Sequence, residues 1–254
     1  MLTFTQNILV LILVMLASLL LLVGLNRIWP VRSRHSENDL IGWQLSVLGT
    51  TYAVVLGFML YTSWTNFRAA ELNADLEANA LRNIFRLAEG LPSQQRAQLE
   101  MHARAYADAV IDQDWPEMAR GQIPEGTHVI NEHMWRTLMS VKTASNSETT
   151  AEDHALSELS ALTLHRRTRL LQSVSELPVI LWSVLLAGGI LTLVSASMFG
   201  STKPRVHIFM VFSATLLVTL VMLAIADINR PFRGWVHVSN YAFVRAQQYM
   251  QEIE

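Results

Sequence analysis

The sequence predicts an all-α membrane protein with four transmembrane helices in two hairpins and a helical soluble domain inserted between the second and third helices. The first supporting observation is that four uncharged apolar runs each approach the roughly 20 residues that a helix needs to cross a bilayer. The second is that the polar stretch between the second and third runs carries apolar side chains at helical spacing. Composition agrees, because 51% of the residues are hydrophobic and 16% are charged, which is too apolar for an ordinary soluble domain.

The four predicted spans cover residues 8–25, 41–64, 177–199 and 206–226. No basic residue precedes the first span and no small-x-small cleavage site follows it, so we expect a retained helix rather than a signal peptide. The predicted domains are a first transmembrane hairpin (1–64), a helical soluble domain continuous with the membrane helices (65–176), a second transmembrane hairpin (177–226) and a C-terminal helical tail (227–254).

The soluble domain is predicted to begin as a direct continuation of the second span. Gly90 and Pro92 are expected to end this long helix. The apolar stripe that defines it consists of Phe67, Ala70, Ala74, Ala78, Leu81, Phe85 and Ala88. The remaining elements are predicted as a helix over 93–113 with Ser93 as its N-cap, a loop over 114–126 ("DWPEMARGQIPEG"), a helix over 128–142 and a last helix from about 151 toward Pro178.

Basic residues in short loops indicate how the chain is oriented in the membrane. Those in the two short links between spans are Arg27, Arg32, Arg34, Lys203 and Arg205. They favour cytoplasmic links and an external soluble domain. Arginines that flank the spans on the soluble side, Arg68 and Arg166 among them, argue for the opposite orientation, so both orientations stay open.

Several function classes are excluded or disfavoured. A net charge of -2 argues against nucleic-acid binding, and the absence of cysteine excludes thiolate metal sites and cysteine nucleophiles. No enzyme signature is present, so no catalytic residue, cofactor or metal is predicted. His128 and His133 are five residues apart and do not share a helix face as metal ligands. No charged residue lies at the centre of a span, which disfavours a proton-driven transporter but leaves an apolar or hydroxyl-lined pore open.

The second span presents two contrasting faces. One is a stripe of small residues that permits close helix approach, formed by Gly49, Ala53 and Gly57. The face nearly opposite mixes hydroxyls with larger apolar groups, at Thr51, Val55, Phe58 and Thr62. We hypothesise that this second face lines a pore in an oligomer, with Phe58 or Val55 as a hydrophobic constriction. The alternative is that it meets lipid or a neighbouring helix. Tyr52, Tyr61 and Trp64 are expected to anchor the span at the membrane interface.

Two further groups of residues stand out at the edges of the membrane. Charged side chains on the soluble side form either a solvated face or ion pairs between helices; they include Glu71, Glu77, Arg166 and Arg169. The stretch "DINRPFRG" predicts the exit of the fourth span, with Arg230, Pro231, Phe232, Arg233 and Gly234. Proline cannot continue the helix, and glycine supplies backbone freedom. The two arginines either bind lipid phosphates or attract anions at a pore mouth.

Three stretches resemble the bacterial bestrophin-like membrane family: "GTTYAVVLGFMLYTSWTNFRAAELNADLEANAL", "LHRRTRLLQSVSELPVILWSVLLAGG" and "DINRPFRG". The matching positions are Gly49, Tyr52, Phe58, Trp64, Glu77, Arg169, Leu170, Pro178, Trp182, Arg230, Pro231, Phe232 and Gly234. The resemblance implies a homo-oligomer, pentameric as in bestrophins, in the bacterial inner membrane. Its implied partners are membrane lipid and small inorganic anions.

Two features bear on how far the resemblance extends. The bestrophin calcium clasp contains an acidic run, whereas "VHVSNYAF" follows the exit motif here without a carboxylate, so calcium gating of that type is not expected. The bestrophin soluble part is cytosolic, which disagrees with the loop charges. The predicted function is a passive anion channel. The alternative is a non-conducting scaffold or sensor whose soluble helical domain binds a partner or ligand.

Overall fold

The computed structural model describes residues 4–252, which are predominantly helical and contain no β-strand. The α-helices are α1 (Phe4–Ile28), α2 (Val31–His35), α3 (Asn38–Leu87), α4 (Ser93–Ala109), α5 (Trp115–Arg120), α6 (Gly126–Met139), α7 (Asn146–Val174), α8 (Val179–Met198), α9 (Pro204–Ile228) and α10 (Tyr241–Glu252). A 3₁₀ turn occupies Ala88–Gly90, and a π-helical turn occupies Val110–Asp114. The all-α fold class is therefore confirmed.

Four of these helices, α1, α3, α8 and α9, are long enough and apolar enough to cross a membrane, as predicted. They contribute to a first compact unit formed by Met1–Thr65 and Glu176–Asn229. Within this unit α1 packs against both α8 and α9, which also pack against each other. The pairing of the four spans into two hairpins is thus not confirmed and stays a prediction.

Helix α3 packs within the first unit through aromatic and aliphatic side chains. Tyr52 and Leu56 are buried against Leu185 of α8 and Ile225 of α9. The Tyr52 hydroxyl also lies 3.6 Å from the Met222 sulfur. The expectation that Tyr52 anchors the span at the membrane interface is therefore wrong, because its ring fills the space between helices instead.

The second compact unit comprises Asn66–Ser175 and Arg230–Glu254. Helix α3 runs as one helix from Asn38 to Leu87 and so contributes its C-terminal part to this unit. The predicted apolar stripe forms the buried face of this part of the helix. Its members, at most 7% exposed, are Phe67, Ala70, Ala74, Ala78, Leu81, Phe85 and Ala88.

Two local predictions in this unit are wrong. Ser93 is the first residue of α4 and not its N-cap; Pro92 occupies the N-cap position, and its side chain makes no capping hydrogen bond. Residues 114–120 belong to helical structure rather than to a loop. Pro116 falls in the first turn of α5, where proline is tolerated because the backbone N–H groups have no partner within the helix. Of the predicted C-terminal tail, Tyr241–Glu252 is helical, and turns precede it.

Within the first unit, the link between α1 and α3 meets the link between α8 and α9 in a closely packed, hydrogen-bonded junction. The Asn38 side chain donates to the Gly200 carbonyl and accepts from the Gly200 N–H, both at 2.8 Å. Arg34, which is fully buried, donates to the Ser197 carbonyl at 3.1 Å and to the Asn26 side chain. Gly200 lies so close to the His35 backbone that a β-carbon there would stand 2.7 Å from the His35 nitrogen. This close approach requires glycine.

Candidate functional site

The candidate pore face of α3 is exposed in the single chain. Thr51, Phe58 and Thr62 are exposed, with Phe58 retaining 64% of its accessible surface. Val55 differs from them, because it is half-buried and packs against the Tyr52 cluster. The pore-lining assignment stays a prediction, but the three exposed residues share a surface that the chain's own core does not use.

The small-residue stripe of α3 is also unused within the chain. Among residues 4–252, a β-carbon added at Gly49 or at Gly57 would meet no atom within 4 Å, and Ala53 between them is exposed. The buried side of the helix lies between the two faces, at Tyr52 and Leu56. Both faces singled out from the sequence are therefore available to a partner helix or to the interior of an assembly.

A buried ion pair forms the polar centre of the second unit. Arg169 of α7 and Glu77 of α3 are both fully buried. The Arg169 Nε donates to Glu77 Oε2 at 2.8 Å, and Nη2 donates to Oε1 at 3.0 Å. The Tyr106 hydroxyl of α4 donates to the same Oε1 at 2.7 Å. Such a two-pronged pair fixes geometry as well as charge, so three helices are locked together at one point.

Asp114 supplies a second carboxylate to the same guanidinium. Arg169 Nη2 donates to Asp114 Oδ2 at 2.8 Å, and this oxygen also accepts from the Thr127 hydroxyl at 2.9 Å. Arg166 in turn donates to the Thr127 hydroxyl at 2.7 Å. Asp114 ends the π-helical turn, whose wider loop sets the direction of the following residues. Among residues 4–252, its Oδ1 atom is buried without a hydrogen-bond partner.

The surroundings of this network keep Tyr106 and Arg169 in defined protonation states. Burial, reinforced by the neighbouring Glu77 carboxylate, raises the pKa of Tyr106 well above its usual value, so the hydroxyl remains a donor. Burial alone lowers the pKa of Arg169, but the opposing effects of Glu77, Tyr106 and Asp114 together raise it. The rings of Trp115 and Phe243 stand over the Arg169 guanidinium, with centroids 5.4 and 5.9 Å away. Arg169 is therefore a permanent buried cation.

The four charged residues singled out from the sequence occupy different environments. Glu77 and Arg169 meet each other, Arg166 reaches the same network through Thr127, and Glu71 pairs with Arg68 at the surface. Sequence reasoning missed Tyr106, Asp114 and Thr127. Nothing in the sequence around Asp114 indicates its buried role, because its side chain does not cap α5. Nothing local indicates Tyr106 or Thr127.

The predicted exit motif forms a compact turn. Helix α9 ends at Ile228, and Gly234 has a φ of 100°, a conformation that favours glycine. The Val238 N–H donates to the Pro231 carbonyl at 2.7 Å, which closes the turn. Phe232 is buried edge-on against Trp115, with centroids 5.6 Å apart.

Arg233 of the exit motif is held within the second unit. Its Nε donates to the Met118 carbonyl at 3.3 Å, and its guanidinium covers Gly121. Gly121 has a φ of 84°, a conformation that favours glycine, and the missing side chain leaves room for the guanidinium. This internal contact gives Arg233 a structural role, in addition to the two roles considered from the sequence.

The four long apolar helices are typical of an all-helical, multi-pass membrane protein. The chain belongs to the Bestrophin-like family: residues 12–243 match the Bestrophin-like domain. The resemblance seen in the three sequence stretches is thereby confirmed. Membership of this family supports a membrane channel in general.

Crystal structures of variants of a bacterial bestrophin homolog from Klebsiella pneumoniae share the fold. One has a TM-score of 0.73 at 15% identity and covers 97% of this chain and 99% of its own. Another has a TM-score of 0.74 at 14% identity and covers 98% of each chain. At such identities the likeness concerns the fold alone. No curated protein matches the sequence.

Proposed function

We propose that the protein is a homo-oligomeric channel that conducts small inorganic anions passively through a pore lined by α3. The observation that carries the proposal is the exposed face of Thr51, Phe58 and Thr62 on a membrane helix whose other side is packed. Hydroxyls interrupted by one large apolar ring are typical of a pore with a hydrophobic constriction. Family membership supports the channel class.

An oligomer is needed because one chain has too few membrane helices to surround a pore. Only four described helices are candidate spans, and α1, α8 and α9 pack on one another. The stripe of Gly49, Ala53 and Gly57 would let a neighbouring copy approach α3 closely, since small residues favour helix association in lipid. Analogy with bestrophins suggests a pentamer.

Anion selectivity is proposed by analogy with bestrophins, and the charges of the spans are compatible with it. No Asp or Glu occurs at the centre of any predicted span, and Asp227 lies only at the end of the fourth. A ring of carboxylates, which favours cations, is therefore not formed at the membrane midplane. The location proposed is the bacterial inner membrane, with lipid in contact with the apolar helices.

The side of the membrane that the second unit faces is also a proposal. The basic residues of the two links support an external position, whereas analogy with bestrophins supports a cytosolic one. Protease digestion of right-side-out and inside-out vesicles distinguishes the two, because only an accessible second unit is cleaved.

Phe58 is the stronger candidate for the constriction, because Val55 packs into the chain's own core. Replacing Phe58 with alanine is expected to increase anion flux from liposomes that contain the purified protein. Removing the ring widens the pore and makes it easier to wet. A barrier lower by about 1.4 kcal/mol would raise the flux about tenfold. The measurement is chloride efflux at a defined protein-to-lipid ratio.

The matched control is Phe209→Ala on α9. Phe209 is 69% exposed, close to the value for Phe58, and also belongs to a candidate membrane helix. We expect this change to leave the flux unaltered. Unchanged flux in Phe58→Ala would contradict the constriction, and liposomes that stay impermeable with the native protein, together with a co-purifying partner, would favour the scaffold or sensor.

A further inference from the structure

A cavity of about 400 Å³ lies in the first unit, where α3, α8 and α9 meet beside the two short links. Its volume falls within the roughly 300–1,000 Å³ that is usual for small-molecule sites. The part of its wall that comes from the membrane helices and their ends is mainly apolar. The apolar lining residues are Leu45, Ala196, Phe199, Met210, Val211 and Ala214. This part of the cavity therefore suits a hydrocarbon group.

The rim of the cavity is polar and is formed by the links and the adjoining helix ends. Two of its polar side chains are already engaged: Asn38 with the backbone of Gly200, and His207 with the Ala196 carbonyl. Two others are exposed, and among residues 4–252 neither the His35 ring nor the Thr202 hydroxyl makes a hydrogen bond. The cavity thus combines free polar groups at its rim with an apolar interior.

The depth of the cavity corresponds to one leaflet of a bilayer. With a helical rise of about 1.5 Å per residue, Leu45 lies about 10 Å from the start of α3 at Asn38. On the same scale Ala214 lies about 15 Å from the start of α9 at Pro204. One leaflet supplies about half of the roughly 30 Å hydrocarbon core. A lipid with its headgroup at the rim would therefore place an acyl chain along the apolar wall.

The charge near the rim complements an anionic headgroup. The two links, residues 26–39 and 200–205, contain more basic residues than carboxylates: Arg27, Arg32, Arg34, Lys203 and Arg205 against Glu37 and Asp39. Lys203 and Arg205 are exposed and closely follow the rim residue Thr202. Basic residues at a membrane surface attract anionic lipids, so the rim favours them over zwitterionic ones.

We propose that this cavity binds one anionic glycerophospholipid per chain, with an acyl chain in the apolar part and the phosphate at the rim. His35 and Thr202 supply hydrogen bonds to the headgroup, and Lys203 and Arg205 supply the attraction for its charge. The site is more specific than general contact between lipid and the apolar helices. It also holds whether or not the protein conducts anions, because binding is measured separately from flux.

The test is native mass spectrometry of the full-length protein in detergent, titrated with phosphatidylglycerol or with phosphatidylcholine of the same acyl chains. We expect one retained phosphatidylglycerol per chain and weaker retention of phosphatidylcholine. Replacing both Lys203 and Arg205 with glutamine should weaken phosphatidylglycerol binding about fivefold for each basic residue removed. Lys142→Gln, which changes an exposed lysine of the second unit, is the control and should bind normally.

A second substitution tests the apolar part of the cavity. Ala214→Leu places a larger side chain in the cavity and should abolish retention of the lipid, while the lipid-free protein keeps or raises its unfolding temperature, as cavity filling usually does. Ala17→Leu, at an exposed alanine of α1, should retain the lipid. The glutamine substitutions lie at exposed positions and test the site even if Ala214→Leu folds poorly.

Four results would overturn the proposal. Equal retention of the two lipids would contradict the role of the rim charges, and unchanged retention in a folded Ala214→Leu would contradict binding in the cavity. Displacement of the lipid by inorganic phosphate alone would show that the site takes a free anion. A change of subunit number in Ala214→Leu, with lipid binding intact, would show that a neighbouring copy of the chain fills the cavity.

Discussion

Replacing Arg169 with methionine is expected to lower the free energy of unfolding of the second unit by about 3–5 kcal/mol, as is typical when one partner of a buried ion pair is removed. Methionine fills a similar volume but leaves the Glu77 and Asp114 carboxylates without their shared cation. Both carboxylates are fully buried, so water cannot replace the lost hydrogen bonds without opening the core. The expected consequence is loss of ordered packing among α3, α4 and α7.

The measurement is amide hydrogen exchange in α4 and α7 of the purified protein, together with chemical unfolding. The control is Arg96→Gln, which removes an ion pair between Arg96 and Glu100 whose side chains are 47% and 23% exposed. That change should cost at most about 0.5 kcal/mol, since surface pairs contribute little. If Arg169→Met and Arg96→Gln have similar effects, the buried network does not hold the unit together.

A double substitution measures how strongly Glu77 and Arg169 are coupled to each other. Glu77→Gln combined with Arg169→Met should cost less than the sum of the two single changes, because each single change already breaks the same pair. Strict additivity would show that the two residues act independently, in contradiction to their 2.8 Å contact.

Replacing Gly200 with alanine is expected to destabilise the first unit by about 1–3 kcal/mol, as overpacking does in a tight core. The new β-carbon would press on the backbone of His35 and Arg34, which has no rotamer to change. Relief requires α2 to move away from the link between α8 and α9. This movement would stretch the two hydrogen bonds between Asn38 and Gly200.

Thermal unfolding in detergent provides the comparison, with Gly24→Ala as the control. Within the part of the chain that the structure describes, a β-carbon at Gly24 meets nothing within 4 Å, and alanine is the better helix former. Gly24→Ala should therefore leave the unfolding temperature unchanged or raise it. An unfolding temperature for Gly200→Ala equal to that of Gly24→Ala would contradict the close approach at this junction.

Local patterns in the sequence were sufficient for most of the helical architecture. The stripe from Phe67 to Ala88 was predictable because burial of one helix face repeats every three or four residues. The helix ends were harder: Pro116 looks like a loop residue until it is recognised as part of a first helical turn. The N-terminal cap of α7 depends on neighbouring residues alone: the helix begins at Asn146, and the Ser145 hydroxyl accepts from the Glu148 N–H at 3.2 Å.

The candidate sites were less predictable because they depend on contacts between distant segments. Glu77 and Arg169 are separated by 92 positions, and neither sequence neighbourhood indicates the other. For α3 the sequence does distinguish two faces, but which of them faces a pore depends on other copies of the chain.

Cysteine accessibility tests the central claim, that α3 lines the pore, most directly. The protein contains no cysteine, so single replacements at Thr51 and Thr62 introduce unique thiols, with Leu217→Cys on α9 as the exposed control. We predict that a charged, thiol-specific methanethiosulfonate reagent blocks anion flux at Thr51→Cys and Thr62→Cys and leaves Leu217→Cys unaffected. Complete labelling at both threonine positions with undiminished flux would contradict a pore lined by this face.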